Sequence, residues 1–173
     1  MTSEEQVYVW TKQLFRAGGW TLLASDPPRG TDAPRLEIKD PGGVQSLTKN
    51  KNAIINDLVY CKNGSLALVE CKDSSHKISM DVEKLNTLSE EPDWRESLIT
   101  AMAGRSLFTK EGAPSPDAIR DGSSLVQVLS YPGEPRPGLT QFVQITFDQG
   151  TENVRIGKEI APAVRERLED ISS

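Results

Sequence analysis

The sequence predicts an α/β fold in which a mixed β-sheet is covered by helices on both faces. Segments with helical periodicity and segments with apolar strand patterns follow in the order helix, strands, helices, strands, helix. Asn63-Gly64 lies between two of the apolar runs, and Asn-Gly in this setting is the strongest short signal for a β-hairpin. The 173 residues show no internal repeat and no linker-like stretch, which predicts a single domain over 1–173.

Helical periodicity marks the beginning, the middle and the end of the chain. The first helix is predicted over residues 4–17. Two residue pairs at its start have the spacing of a capping box, Thr2 with Glu5 and Ser3 with Gln6. A second helical stretch begins near Ile78 and is restarted by Pro92, and a final helix is predicted from Pro162.

Apolar runs bounded by turn residues predict the strands. They cover 20–25, 35–39, 54–61, 66–72, 124–131, 139–147 and 152–156. The proline-rich stretch 132–138 is predicted to be a hairpin connection, and 40–52 and 110–123 are predicted to be loops. Gln127 and Gln144 lie on the later strands, and alternation alone leaves open whether they face a site or solvent.

The composition favours a globular protein that lies outside membranes. No apolar run reaches the length of a membrane span and the N-terminus has no signal-peptide pattern, so we expect a cytoplasmic protein. The formal net charge of −5 argues against coating nucleic acid through bulk charge, but it is compatible with a local basic groove. Cys61 and Cys71 are expected on opposite faces of the hairpin, and a single histidine, His76, argues against a zinc site built on histidines.

The hairpin places charged residues inside apolar strands. With Asn63 and Gly64 as a two-residue turn, Asp57 is predicted to lie opposite Glu70, and Ile55 opposite Lys72. Side chains alternate along a strand, so Asp57, Glu70 and Lys72 are expected to project from one face.

Two carboxylates facing each other across a strand pair repel unless a cation lies between them. Lys72 can supply part of that charge, and a divalent cation such as Mg²⁺, which prefers carboxylate oxygens, can supply more. The alternative is an edge hairpin with solvated ends, in which Asp57 and Lys72 form an ordinary ion pair.

Asn56-Asp57, followed after twelve residues by Glu70-Cys71-Lys72, resembles the motif of the PD-(D/E)xK nuclease superfamily. The resemblance implies a restriction-endonuclease-like fold, with Asp57 and Glu70 binding Mg²⁺ (Mn²⁺ is expected to substitute) and Lys72 orienting or activating the attacking water. The chain departs from the family at Asn56, where a proline is usual. Many members add an acid from the first helix, here Glu5 (or Glu4), although such an acid also complements the helix dipole.

The resemblance implies a metal-dependent nuclease, with DNA as the expected substrate and restriction or defence as the expected role. A lysine in a partly desolvated pocket is expected to have a lowered pKa, so that Lys72 can accept or orient a proton. Weaker expectations are phosphate contacts by His76 and Lys77, or by Lys49 and Lys51, although a solvent-exposed position without a specific role is the favoured interpretation of these residues. The small chain also suggests a homodimer or a partner subunit.

Two other interpretations remain open at this point. The chain can be a catalytically inactive nuclease-fold module that binds nucleic acid or a protein partner. It can also be a structural or regulatory α/β domain in which the hairpin charges have no chemical role. Asp81 and Lys84, one turn apart on the helix that follows, are expected to form a local ion pair.

Overall fold

The computed structural model of the chain describes residues 2–30, 32–42, 53–148, 151–160 and 162–172, and it confirms a mixed α/β architecture. The helices are α1 (Glu4–Ala17), α2 (Ser79–Glu90), α3 (Pro92–Gly104), α4 (Pro116–Arg120) and α5 (Pro162–Ser172). The strands are β1 (Thr21–Ser25), β2 (Glu37–Ile38), β3 (Ile54–Ile55), β4 (Leu58–Lys62), β5 (Ser65–Cys71), β6 (Leu125–Pro132), β7 (Phe142–Asp148) and β8 (Thr151–Ile156).

Six of the strands form one mixed sheet in the order β1-β4-β5-β6-β7-β8, and β2 and β3 pair separately. Strands β1, β4 and β5 are antiparallel, β5, β6 and β7 run parallel, and β8 returns antiparallel at the far edge. The carboxyl ends of the three parallel strands therefore lie side by side at one end of the sheet.

Helices cover both faces of the sheet, as predicted. Leu58 and Tyr60 pack with residues of α1 and α5, whereas Val59 and Cys61 pack with residues of α2 and α3. Because side chains alternate along β4, each face of the sheet receives its own hydrophobic core. The two cysteines are free and buried, and they lie on opposite faces as expected.

The start of α1 and the hairpin turn follow the local sequence closely. Ser3 and Gln6 form the reciprocal capping box that opens the helix. Asn63 has φ 49 and Gly64 has φ 82, which is the left-handed backbone that a type I′ turn requires. Leu58 through Lys62 then pair with Val69 through Ser65 in the predicted register.

The predicted strand over 54–61 is wrong because it is broken at Asn56-Asp57. Ile55 pairs with Glu37 of β2 and does not lie opposite Lys72. The Asp57 carboxylate accepts a hydrogen bond from the backbone N–H of Cys71 at 2.7 Å. This bond replaces a ladder bond between main chains, which is the usual way that aspartate competes with regular structure.

The predicted hairpin connection over 132–138 is also wrong. Strands β6 and β7 are parallel, so residues 133–141 carry the chain back along the sheet instead of reversing it. The polar stretch 110–123 contains α4, which Ser115 caps by accepting from the N–H of Ala118.

Candidate functional site

Six polar residues meet where β4 and β5 face α2. We call them the charged cluster: Asn56, Asp57, Glu70, Lys72, Asp81 and Lys84. The hairpin supplies the first four and α2 supplies the last two. The cluster lies on the sheet face that packs against α2 and α3, next to an otherwise apolar core.

Glu70 is the most deeply buried member, with 1% of its surface exposed. Lys84 Nζ lies 2.6 Å from Glu70 Oε1, and the Asn56 side-chain amide donates to the same oxygen at 3.1 Å. The second oxygen, Oε2, lies 3.4 Å from the backbone nitrogen of Asp57. Burial raises the pKa of Glu70, and the ion pair with Lys84 opposes that rise.

Asp57 is half-buried beside Glu70, so the structure brings the two predicted carboxylates together. Burial, assisted by the negative charge of Glu70, raises the pKa of Asp57 to about 8. Two carboxylates that both resist ionisation favour a proton or a cation between them.

Lys72 follows the last residue of β5 and stands between two acids. Its Nζ lies 3.6 Å from Asp81 Oδ2 and 3.8 Å from Glu4 Oε1. Partial burial lowers the pKa of Lys72, but the surrounding carboxylates, Asp81 first, outweigh burial and raise it above its ordinary value. The sequence-based prediction of a lowered pKa for Lys72 is therefore wrong. With its raised pKa, Lys72 is an ammonium ion in this arrangement.

Sequence reasoning missed the part that Asp81 and Lys84 play. Their mutual ion pair exists, at 4.0 Å, but each residue also contacts the hairpin, Asp81 through Lys72 and Lys84 through Glu70. A signal was present in the sequence. Asp81 follows Ile78 by three residues and precedes Leu85 by four, so it lies on the buried face of its helix.

The remaining predicted site residues lie outside the charged cluster. From α1 it is Glu4 that reaches Lys72, whereas Glu5 lines a separate groove with Lys12 and Arg29. His76 is exposed, and Lys77 is exposed and bonded to Asp73 at 3.0 Å. The candidate phosphate contacts Lys49 and Lys51 lie outside the described residues.

The oxygen atoms of the charged cluster are ligands of the type that a hard divalent cation prefers. Asn56 Oδ1 and Asp81 Oδ2 are buried oxygens that accept no hydrogen bond from the described part of the chain. Across the described ranges, no group of three or more histidine, cysteine, aspartate or glutamate side chains is arranged to hold a metal. The Asp57–Glu70 pair nevertheless fits Mg²⁺, which commonly binds one or two carboxylates and takes its other ligands from water and substrate phosphate.

Compared with known proteins, the chain matches no protein-family model, no curated protein and no solved structure. In the part of the chain that the structure describes, no helix is both long and apolar enough to span a bilayer.

With metal removed by a chelator, we expect the free energy of unfolding to fall as pH rises from about 4 to about 8. Folded Asp57 keeps its proton up to a pKa of about 8, whereas an unfolded aspartate loses it near 3.8. The native state then binds more protons than the unfolded state, so rising pH favours unfolding. Urea unfolding across this range measures the slope, and Asp57→Asn should flatten it. Equal slopes in the two proteins would contradict the prediction.

Proposed function

We propose that the protein is a divalent-metal-dependent nuclease with a restriction-endonuclease-like fold, and that DNA is its substrate. The observation that carries the proposal is the adjacent pair of carboxylates, half-buried Asp57 and buried Glu70, with Lys72 directly after the strand that holds Glu70. The order of elements agrees with this proposal, since α1, the antiparallel strands β1, β4 and β5, the helices α2 and α3, and the parallel strand β6 follow in turn. This is the order implied by the resemblance to PD-(D/E)xK nucleases.

Asp57 and Glu70 would hold the cation, which when bound neutralises phosphate charge and makes water a better nucleophile. Lys72 supplies an ammonium group at the strand end, where it can donate to a water molecule or to a phosphate oxygen. A bound cation beside Lys72 would lower its pKa, because it would offset the carboxylates that now raise it. Lys84 opposes the rise in the pKa of Glu70 that burial causes, and so favours the ionised carboxylate that metal binding requires.

The test is cleavage of supercoiled plasmid by the purified full chain with Mg²⁺ or Mn²⁺. Chelator and Lys72→Ala should each abolish cleavage, and Lys110→Ala should not. Lys110 is a matched control because it is exposed and lies near Gly112, whose carbonyl contacts the hairpin turn at the opposite end of β5. Cleavage that survives the chelator or the Lys72→Ala substitution would overturn the catalytic assignment.

A structural charged cluster is the second candidate, because Lys84 already neutralises Glu70 without any metal. The two candidates differ in their response to metal. Mn²⁺ should raise the melting temperature of the wild-type protein and leave that of Asp57→Asn unchanged if the cluster binds a cation. No cleavage and no effect of Mn²⁺ would favour the structural candidate. An Mn²⁺ effect without cleavage would point to RNA as substrate, or to a second copy or partner subunit.

A further inference from the structure

A basic pocket of about 370 Å³ lies on the same sheet face as the charged cluster, near the far edge of the sheet. The polar side chains that line it belong to Arg136, Thr140, Gln144, Arg155 and Lys158, and Gly157 lines it as well. No acidic side chain lines it among the described residues. We use the name basic pocket for this set of residues.

The connection from β6 to β7 forms one wall of the basic pocket, and Gln144 holds it in place. Gln144 is 2% exposed, its Oε1 accepts from the backbone N–H of Arg136 at 2.8 Å, and its Nε2 donates to the Arg136 carbonyl at 3.0 Å. The hydroxyl of Tyr131 also donates to the Gln144 Oε1. The backbone of Arg136 is therefore fixed on the sheet.

Gly157 forms the opposite wall, where the chain leaves β8. Its N–H donates to the Phe142 carbonyl at 2.9 Å, and a Cβ built at this position would overlap the Thr140 carbonyl. The backbone of Gly157 is thus in direct contact with the backbone of Thr140 and Phe142. Lys158, the next residue, is exposed at the rim.

The positive charge of the basic pocket is not balanced by neighbouring acids. Arg155 and Lys158 form no ion pair within the described ranges, and the guanidinium of Arg136 donates only to the carbonyl of Ser75, at 3.3 Å. Three cations gathered in one pocket repel one another, in a chain whose net charge is −5. An anion in the pocket would relieve that repulsion.

Strand register sets the distance between the basic pocket and the charged cluster. Glu70 pairs with Leu129, Leu129 with Gln144, and Gln144 with Arg155, so these residues form one row across four strands. Residues on either side of Gln144 and Arg155 pack into the core under α1 and α5, so Gln144 and Arg155 project from the other face, as Glu70 does. Neighbouring strands are about 4.8 Å apart, which places the Arg155 backbone about 14 Å from that of Glu70.

We propose that the basic pocket binds a second backbone phosphate of the nucleic acid, on the same strand as the phosphate at the charged cluster. The two ends of the row lie about 14 Å apart, so a single bound strand can reach both sites. The guanidinium groups of Arg136 and Arg155 offer the planar donor pairs that phosphate oxygens accept. The proposal takes its substrate class from the proposed nuclease function, but binding to the pocket needs neither metal nor cleavage. The contact would position the strand while the charged cluster acts on it.

The test is binding of a fluorescent 20-nucleotide DNA, duplex or single-stranded, measured by anisotropy in chelator over a series of salt concentrations. The pocket variant is Arg155→Ala/Lys158→Ala. The matched control, Arg16→Ala/Lys110→Ala, removes two exposed charges at the hairpin-turn end of the sheet. We expect the pocket variant to weaken binding about 10-fold and to reduce the slope of log affinity against log salt by about 1, the effect of losing one phosphate contact, with no change in the control.

Binding that is equal in the pocket variant and the wild type would overturn the proposal, as would no binding of either DNA form at low salt. Polyglutamate that competes as well as DNA at equal charge would overturn the assignment to phosphate. Loss of binding without loss of fold, checked by circular dichroism, would support it. Because chelator is present throughout, a failure here is distinct from a failure of metal-dependent cleavage, which the plasmid assay reports.

Discussion

Replacing Lys72 with alanine is expected to reduce plasmid cleavage by about 10²–10⁴-fold, the usual contribution of a positioned proton-transfer group. Lys72 is the only cation of the charged cluster that contacts Asp81 and Glu4 together, and it directly follows the last residue of β5. Alanine removes the donor and leaves Asp81, which is 3% exposed, with less neutralising charge.

Lys72→Arg is expected to be nearly as damaging as alanine. A guanidinium keeps the positive charge, but it is larger, has a planar donor set and does not release a proton at any relevant pH. Cleavage rates for the three proteins, measured across a range of pH, separate the roles. Substantial activity in the arginine variant would show that charge alone suffices and would overturn proton transfer by Lys72. Metal-dependent changes in melting temperature in each variant would show that the fold and cation binding persist.

Replacing Lys84 with methionine is expected to lower the free energy of unfolding by about 3–5 kcal/mol near pH 8, the cost of breaking a buried pair from one side. Glu70 is almost fully buried, and Lys84 Nζ is the only cation within 4.0 Å of its carboxylate among the described residues. At lower pH the loss should shrink, because Glu70 can then take up a proton instead of remaining charged. Urea unfolding at two pH values measures both effects.

The double variant Lys84→Met/Glu70→Gln is the control for this prediction. It removes both charges, so most of the lost stability should return, and the stability difference from the wild type should no longer depend on pH. A loss that is the same at both pH values and is not recovered in the double variant would mean that Lys84 acts through packing. Plasmid cleavage should be lost in the double variant, because glutamine cannot supply the carboxylate of Glu70 to a cation.

The hairpin could be predicted in detail because its information is local. Asn63-Gly64 fixes the turn, the turn fixes the register, and the register brings Asp57 beside Glu70. The break at Asn56 could not be predicted, because apolar residues continue on both sides of it. The break coincides with a hydrogen bond that the backbone N–H of Cys71 donates to the Asp57 carboxylate, fourteen residues away along the chain.

The features that sequence reasoning missed depend on long-range geometry. Alternating residues identified β6 and β7 as strands but carry no information on their relative direction, so the parallel pairing was not foreseen. The pKa of Lys72 depends on Asp81, which reaches it from α2, and on Glu4, which reaches it from α1. Asp81 carried a local signal, its place on an apolar helix face, but its partner Lys72 did not follow from spacing.

The close approach at Gly157 has an evolutionary consequence. Any side chain there would push apart the backbones that carry Thr140 and Phe142, so selection can change this position only by rebuilding the loop. Arg155 and Lys158, in contrast, are exposed side chains on a backbone that the glycine holds in place. Those charges could therefore change in descendants of this chain without rebuilding the loop, and each change would alter the strength of the proposed phosphate contact.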